Sequence, residues 1–362
     1  MPVTLSPVVL HRNMCYNTYK AKKERVGYLA NRRASQVLFG FDFQVNAAIV
    51  LMLENINDLE SLRLESDLED IDLTLDNRQH ILAQAKAIVN GSTDFQNVRR
   101  NLQQTLTSLS EACQSADAKQ VILITNSLNP FKDEASRQLI WGPTRRNFST
   151  LPPSAQAIIT EYLSKIANPL DPNKFTVQVL PFETDDDDER YKAVMQAIDN
   201  FIGGLKLNIP GLGKRLLEIW HWEIFTNGTK SDSAIRLNKK SIIWPIMVIA
   251  TDVEYCDDDF LNQFDPAEYE EIVHHYKETI DNCCERIEFF TRVLFDFSTF
   301  DPSKKGTERM LAFVEQAWPN YRDEFAISGI DVQTQEGLAK VVLYNIVRRR
   351  YTIEKIKRGV NL

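Results

Sequence analysis

Hydrophobic and polar residues alternate in one stretch of the chain. From Glu69 to Leu75 every second side chain is apolar, which is the period of a half-buried β-strand. Asp70 and Asp72 therefore share one face of the predicted strand. The Asp76-Asn77 pair that follows suits a tight reversal, and a second alternating run, His80 to Ala87, predicts that the two strands form a β-hairpin.

The length of the loop decides which side chains meet across this hairpin. A two-residue loop would turn the two polar rows to opposite faces. A three-residue loop over Asn77–Gln79 would instead set Asp72 opposite Gln84 and Asp70 opposite Lys86. We therefore predict an odd-numbered loop or a bulge, with the two aspartates, the glutamine and the lysine on one face.

The rest of the first half alternates between helical and strand patterns. Apolar residues at helical spacing predict a helix over 34–54, with Gln44 early in it. An acidic run, Asp185 to Glu189, opens a later helix, where it would complement the helix dipole. The remaining predicted elements are strands at 121–125 and 175–180 and helices at 95–113, 154–166 and 191–201. This order predicts an α/β fold with a small mixed sheet flanked by helices.

Glycine and proline residues mark the predicted domain boundary. Gly203-Gly204 and the segment 210–213 match no phosphate-binding loop, so we interpret them as a hinge. Beyond the hinge the pattern is helical, with one long helix over 266–295 and a last one over 335–357. We predict an α/β domain at residues 1–205, which includes an N-terminal arm, and a mostly α-helical domain at residues 206–362 that oligomerises or docks on partners.

Composition narrows the class of protein. The 362 residues are 43% hydrophobic and 25% charged, as in an ordinary globular chain large enough for two domains. A net charge of −8 argues against a protein that coats nucleic acid without selectivity. The sequence has no uninterrupted run of about 18 apolar residues, and its five scattered cysteines argue against a disulfide framework or a zinc site. We expect a cytoplasmic protein that does not span a membrane.

A strand aspartate, a turn and a Gln-x-Lys strand are the components of metal-assisted phosphodiester hydrolysis. Carboxylates bind a hard divalent cation through oxygen, and the cation lowers the pKa of a bound water. A lysine beside them orients that water or offsets charge on the phosphate. The same residues also fit an ordinary hairpin with solvated surface charges, because the motif is short and degenerate.

Several short segments together resemble one nuclease superfamily. These segments are Gly40-Phe41-Asp42-Phe43-Gln44, Leu64-Glu65, Glu69-Asp70-Ile71-Asp72 and Gln84-Ala85-Lys86. They look like the PD-(D/E)xK restriction nucleases and, more closely, like the double-stranded-DNA endonuclease domain at the N-terminus of bacterial antiphage effectors. The resemblance covers residues 30–205 and implies a restriction-endonuclease-like fold for that part of the chain.

The resemblance also implies a site and a cofactor. The catalytic residues would be Asp70, Asp72, Gln84 and Lys86. Asp70 or Asp72, together with Gln84, would hold Mg²⁺ or Mn²⁺, Lys86 would be the catalytic lysine, and Gln44 would support the site from its helix. Gln84 stands where the superfamily usually has glutamate, and its neutral oxygen is a weaker ligand, so Glu65 or the second aspartate would complete the coordination of the cation.

Partners follow from the same resemblance. The chain would be the nuclease effector subunit of a Lamassu-like antiphage complex and would cut double-stranded DNA. An SMC-like ATPase and a small accessory subunit would hold it inactive, and the active form would be a homo-oligomer. Two alternatives stay open: a non-catalytic assembly subunit on a nuclease-like scaffold, and a nuclease that acts on RNA, because the hairpin chemistry does not read the sugar.

Overall fold

A computed structural model of the protein describes residues 32–140, 142–183, 185–250, 260, 264–276, 279–280, 282–283 and 286–362. The chain forms two compact units, Met1–Phe39 and Gly40–Leu362. The described residues of the first unit begin helix α1, Arg32–Glu54, which continues into the second unit. The predicted N-terminal arm lies outside the described residues.

A seven-stranded mixed sheet organises the larger unit. Its strands are β1 Leu59–Leu64, β2 Ile71–Leu75, β3 His80–Lys86, β4 Ala118–Thr125, β5 Thr144–Asn147, β6 Phe175–Val179 and β7 Leu237–Asn238. They lie in the order β5-β6-β4-β3-β2-β1-β7, with β3, β4 and β6 parallel and the other neighbours antiparallel. The predicted mixed sheet is confirmed. The edge strands β5 and β7 were not predicted, because each is too short to show a clear alternation.

Helices cover both faces of the sheet. In this half of the chain they are α1, α2 Val98–Ser115, α3 Glu134–Arg137, α4 Pro153–Leu163 and α5 Asp187–Gly204. On one face, Leu82, Val121 and Val177 belong to an apolar core with buried residues of α2 and α4. The other face carries Gln178, whose side chain donates to Glu54 at the end of α1, so α1 lies on that face. Because helices cover both faces of the central strand β4, its residues form a continuous apolar run and do not alternate with polar ones.

Part of α1 is as apolar as a membrane helix. Residues Ser35–Glu54 are long and apolar enough to cross a membrane by length and composition, and 61% of this window is buried inside the protein. A core helix of a globular protein has the same composition.

The acidic run before α5 has the predicted capping role. Asp186 is the N-cap residue, and its carboxylate accepts the backbone N–H groups of Asp188 and Glu189, both at 3.1 Å. These N–H groups have no partner inside the helix, so the cap supplies one.

The β2–β3 loop has the predicted odd length but a different position. The N–H of Leu75 donates to the carbonyl of Gln79 at 2.9 Å, which leaves residues 76–78 as the loop. The side chain of Asn77 accepts the N–H of Gln79 at 3.0 Å, and this contact fixes Gln79 beside Leu75. The predicted register is therefore wrong by two residues: Asp72 lies opposite Leu82 and not Gln84.

The second half of the chain is helical, as predicted. Among the described residues, its helices with defined bounds are α6 Leu212–Gly228, α7 Lys239–Ala250, α8 Pro266–His275, α9 Ile287–Thr299, α10 Gly306–Ala317, α11 Val332–Arg348 and α12 Arg350–Val360. The single long helix predicted over 266–295 is wrong, because α8 ends at His275 and extended backbone at Arg286 (φ −87°, ψ 102°) precedes α9. The predicted last helix is likewise two helices that meet at Arg349 (φ −83°, ψ 0°). Both α8 and α9 contact the buried helix α11, so the apolar pattern continues across the break.

Residues beyond the predicted hinge take part in the sheet. β7 pairs with β1, and the buried Arg63 of β1 donates to the backbone carbonyls of Asn227, Lys230 and Ile235. A buried guanidinium needs such acceptors, because an unpaired buried charge is strongly destabilising. The division into domains at residue 205 stays a prediction.

Candidate functional site

Two acidic residues meet where β1 ends and β2 begins. Glu65 directly follows β1, has a left-handed backbone (φ 53°), and donates its N–H to the carbonyl of Asp70 at 2.8 Å. The N–H of Ala85 in β3 donates to Asp70 Oδ2 at 2.9 Å. Because Ile71 pairs with Ala83, the continued register sets Asp70 beside Gln84. The three strands therefore bring two carboxyl groups and one amide to the same end of the sheet.

Lys86 and Gln44 approach the same two carboxyl groups. Burial dominates the pKa of both Asp70 and Glu65, but the Lys86 ammonium and the Gln44 side chain are near enough to lower both. The glutamine predicted to reach the hairpin from α1 therefore does so. We refer to Glu65, Asp70, Lys86 and Gln44 as the carboxyl cluster.

The carboxyl groups at this end of the sheet hold protons more tightly than free ones. Burial raises the pKa of Asp70, and the N–H of Ala85 opposes part of that rise. Desolvation, followed by repulsion from Asp70, raises the pKa of Glu65. Burial also raises the pKa of the neighbouring Glu69 to about 7, although Ser108 Oγ donates to its carboxylate at 2.6 Å. The protein thus leaves negative charge here incompletely compensated, and a bound cation would relieve it.

Two amide oxygens near the carboxyl groups have no hydrogen-bond partner. Both Gln84 Oε1 and Gln44 Oε1 are buried in the structure, and neither accepts a hydrogen bond. An unsatisfied buried acceptor destabilises a fold by about 1–3 kcal/mol. Such atoms are uncommon in native proteins, and each calls for a physical explanation. A ligand that accepts electron density from oxygen would supply one.

The residues present fit a hard divalent cation through a mixed set of oxygen atoms. Within the described part of the chain, no three His, Cys, Asp or Glu side chains are placed to hold a metal ion together. A cation would therefore need amide oxygen in addition to Asp70 and Glu65. Gln84 Oε1 is unpartnered and belongs to the residue beside Asp70. Carboxylate and amide oxygens are ligands that Mg²⁺ and Ca²⁺ accept.

Asp72 lies in a different environment from the other predicted site residues. His80 Nδ1 lies 2.7 Å from one carboxylate oxygen, and an Arg236 nitrogen lies 2.8 Å from the other. A second Arg236 nitrogen donates to the Asp72 carbonyl at 2.9 Å. The carboxylate is almost fully buried between these two side chains. The structure therefore brings Asp70, Glu65, Gln84, Lys86 and Gln44 together at one end of the hairpin. Asp72, two residues after Asp70, is bound instead by His80 and Arg236.

Three residues of these environments were not predicted. Glu69 had a signal in the sequence, because it directly precedes Asp70 in the acidic segment. By position it belongs to the same row as Ile71 and Leu73, and like them it is buried. His80 begins the second predicted strand, and its approach to Asp72 depends on the loop register. Arg236 had no signal at all, since 164 positions separate it from Asp72.

Comparisons with known proteins give one distant structural similarity. No protein-family model matches the chain, and no characterised protein matches it in sequence. Among solved structures, the chain is similar to a Cap4 SAVED/CARF-domain containing receptor from Moraxella osloensis, with 14% sequence identity and a TM-score of 0.37. The similarity covers 60% of this chain and 48% of the receptor chain.

Proposed function

We propose that the protein is a metal-dependent endonuclease that hydrolyses phosphodiester bonds of double-stranded DNA. One observation supports this proposal above all others. Asp70, Glu65 and Lys86 meet at the end of the hairpin, beside the unpartnered Oε1 of Gln84. Oxygen ligands with uncompensated charge next to a lysine are the groups that metal-assisted hydrolysis requires.

Each residue of the site has a distinct task in this proposal. Asp70, Glu65 and the amide oxygen of Gln84 hold Mg²⁺ or Mn²⁺, which when bound lowers the pKa of a water molecule and polarises the phosphate. Lys86 orients the water or stabilises negative charge on the phosphate oxygens. Gln44 lies beside the two carboxyl groups and supports the site from α1. Asp72 stays outside this machinery, because His80 and Arg236 already occupy its carboxylate.

We further propose a cellular role and a set of partners. The protein acts in the cytoplasm as the nuclease effector of a bacterial antiphage system of the Lamassu type, with a restriction-endonuclease-like domain. An SMC-like ATPase and a small accessory subunit hold it inactive, and the released form assembles into a homo-oligomer. The sequence resemblance alone supports this role. Co-purification of the three subunits from their native locus tests it.

The first experiment measures cleavage of three substrates. Purified full-length protein is incubated with plasmid, linear duplex DNA and tRNA, each with Mg²⁺, with Mn²⁺ and with a chelator. We expect metal-dependent cleavage of both DNA forms. Cleavage of tRNA alone would establish the RNA-directed alternative instead, and no cleavage of any substrate would support a non-catalytic assembly subunit.

A variant of the lysine tests the site itself. Lys86→Ala should reduce cleavage at least about 100-fold, the scale for one positioned catalytic group. Lys119→Ala is the matched control, because Lys119 is exposed and lies at the start of β4, whereas Lys86 pairs with Thr125 at the end of that strand. The Lys119 ammonium lies 3.8 Å from Asp58. Normal cleavage by Lys86→Ala would remove this lysine from the mechanism.

A further inference from the structure

We propose that an aromatic surface on α6 stacks against a nucleobase of the DNA substrate next to the scissile bond. This inference rests on the proposed nuclease function and adds a binding element to it. The surface consists of Trp222 and Phe225 of α6 together with Phe41 of α1, and we call it the aromatic ledge. Its three rings form a continuous series of contacts from solvent to the sheet.

Trp222 forms the outer end of the ledge. Its side chain is 54% exposed, and its ring lies nearly parallel to that of Phe225, with centroids 6.1 Å apart and an angle of 16° between the planes. Phe225 in turn meets the edge of Phe41 at 5.3 Å and 80°. These contacts hold the indole in place, so little side-chain entropy is lost when a base stacks on it.

The inner end of the ledge adjoins the carboxyl cluster. A Cβ atom at Gly228 would lie 3.2 Å from the Phe41 ring and 2.8 Å from Leu64, so both side chains press on the same point of α6. Leu64 is the last residue of β1, and Glu65 follows it directly. Phe41 also precedes Gln44 by three positions on α1, which places the two on neighbouring parts of one helix face. A strand bound at the cluster therefore has the ledge beside it.

The charge around Trp222 suits a polyanion. Lys214 and Arg215 are exposed at the start of α6 and Lys230 just beyond its end, and Glu218 and Asp232 are the exposed acidic residues of the same segment. Arg215 lies seven residues before Trp222, about two helical turns, and so on the same face. This local excess of positive charge contrasts with the net charge of −8 for the whole chain. Basic residues that precede and follow the exposed ring along the chain match the phosphates on either side of a stacked base.

A protein partner fits this surface less well. A protein interface has a broad apolar centre, whereas the exposed residues around Trp222 on α6 are charged or polar, as at Arg215, Glu218 and Thr229. A single aromatic ring among charges is the arrangement of base-stacking sites, where each stacked base contributes about 1–3 kcal/mol.

Binding measured without catalysis tests the ledge. Fluorescence anisotropy with a labelled duplex that contains one mismatched pair is recorded in chelator for the wild type, Trp222→Phe and Trp222→Ala. We expect Trp222→Ala to weaken binding about 5- to 150-fold, the range that corresponds to one stacked base, and Trp222→Phe to retain most of the affinity. Phe295→Ala is the matched control, because Phe295 is an aromatic residue of α9 that is 66% exposed. Its affinity should equal that of the wild type.

Three outcomes would overturn the inference. If Trp222→Ala binds the duplex as the wild type does while Lys86→Ala has lost cleavage, the ledge does not contact DNA and the proposed nuclease function is unaffected. If Trp222→Ala binds DNA normally but no longer self-associates in sedimentation, the ledge is a protein interface. A wild-type protein that neither binds nor cuts DNA removes both the ledge and the nuclease.

Discussion

Two aspartates of the hairpin, Asp70 and Asp72, lie only two residues apart but differ in what surrounds them. At Asp72 each carboxylate oxygen faces a potential cation of the protein itself, His80 at 2.7 Å and Arg236 at 2.8 Å. At Asp70 the close partner is a neutral backbone N–H at 2.9 Å, and burial raises the pKa of the carboxyl group. The difference indicates which carboxylate the fold uses for its own stability and which one it leaves available to a ligand. A carboxylate neutralised by the protein stabilises structure, whereas one with uncompensated charge can bind a ligand.

Replacement of Asp70 gives the largest expected effect on function. Asp70→Asn keeps an acceptor for the N–H of Ala85 but removes the negative charge, so we expect cleavage to fall about 10³-fold. The free energy of unfolding should stay unchanged or rise slightly, because the charged form is disfavoured by burial. Cleavage assays and denaturant unfolding measure the two quantities. Asp67→Asn, an exposed carboxylate of the same loop, should change neither.

Removal of Arg236, the partner of Asp72, should instead affect stability and not cleavage. Arg236→Met leaves the buried Asp72 with only His80, and we expect the free energy of unfolding to fall by about 2–4 kcal/mol, less than for a fully enclosed pair because Arg236 is partly exposed. Cleavage per folded molecule should not change. The double variant Asp72→Asn/Arg236→Met should recover part of the loss, since neither charge then remains buried alone. A cleavage defect as large as that of Asp70→Asn would show that both aspartates belong to one site.

A third carboxyl group extends the comparison and gives the smallest effect. Glu223 on α6 is half-buried, its buried Oε2 accepts no hydrogen bond, and desolvation raises its pKa to about 7 from 4.5. The folded state therefore binds this proton more tightly than the unfolded state, so stability falls as the pH rises from 4.5 through 7.

Glu223→Gln should remove this pH dependence. We expect it to raise the free energy of unfolding at pH 8 by about 1–2 kcal/mol, with a smaller difference at pH 5. Urea unfolding at the two pH values checks this, with the exposed Glu218→Gln of the same helix as control. Equal stabilities of Glu223→Gln and the wild type at pH 8 would contradict the raised pKa.

Local patterns in the sequence were sufficient for the elements whose energetics are local. The alternation at residues 69–75 predicts β2, the apolar run at 121–124 predicts β4, and the acidic run before α5 predicts its cap. The parity of the β2–β3 loop also followed from the sequence, because only an odd loop keeps the polar rows on one face. Helix ends were less predictable: the apolar pattern continues from α8 to α9 since both pack on α11, although the backbone does not.

What the sequence determined by itself is therefore the strands β2, β3, β4 and β6, the longer helices of the first half, and the residue types at one end of a hairpin. Only the tertiary structure decided which aspartate has which environment. Asp70 and Asp72 have the same side chain and the same strand parity. However, Arg236 reaches Asp72 from 164 positions away, and Gln44 approaches Asp70 from helix α1. Contacts between such distant residues depend on how the elements pack, and no local pattern in the sequence encodes that packing.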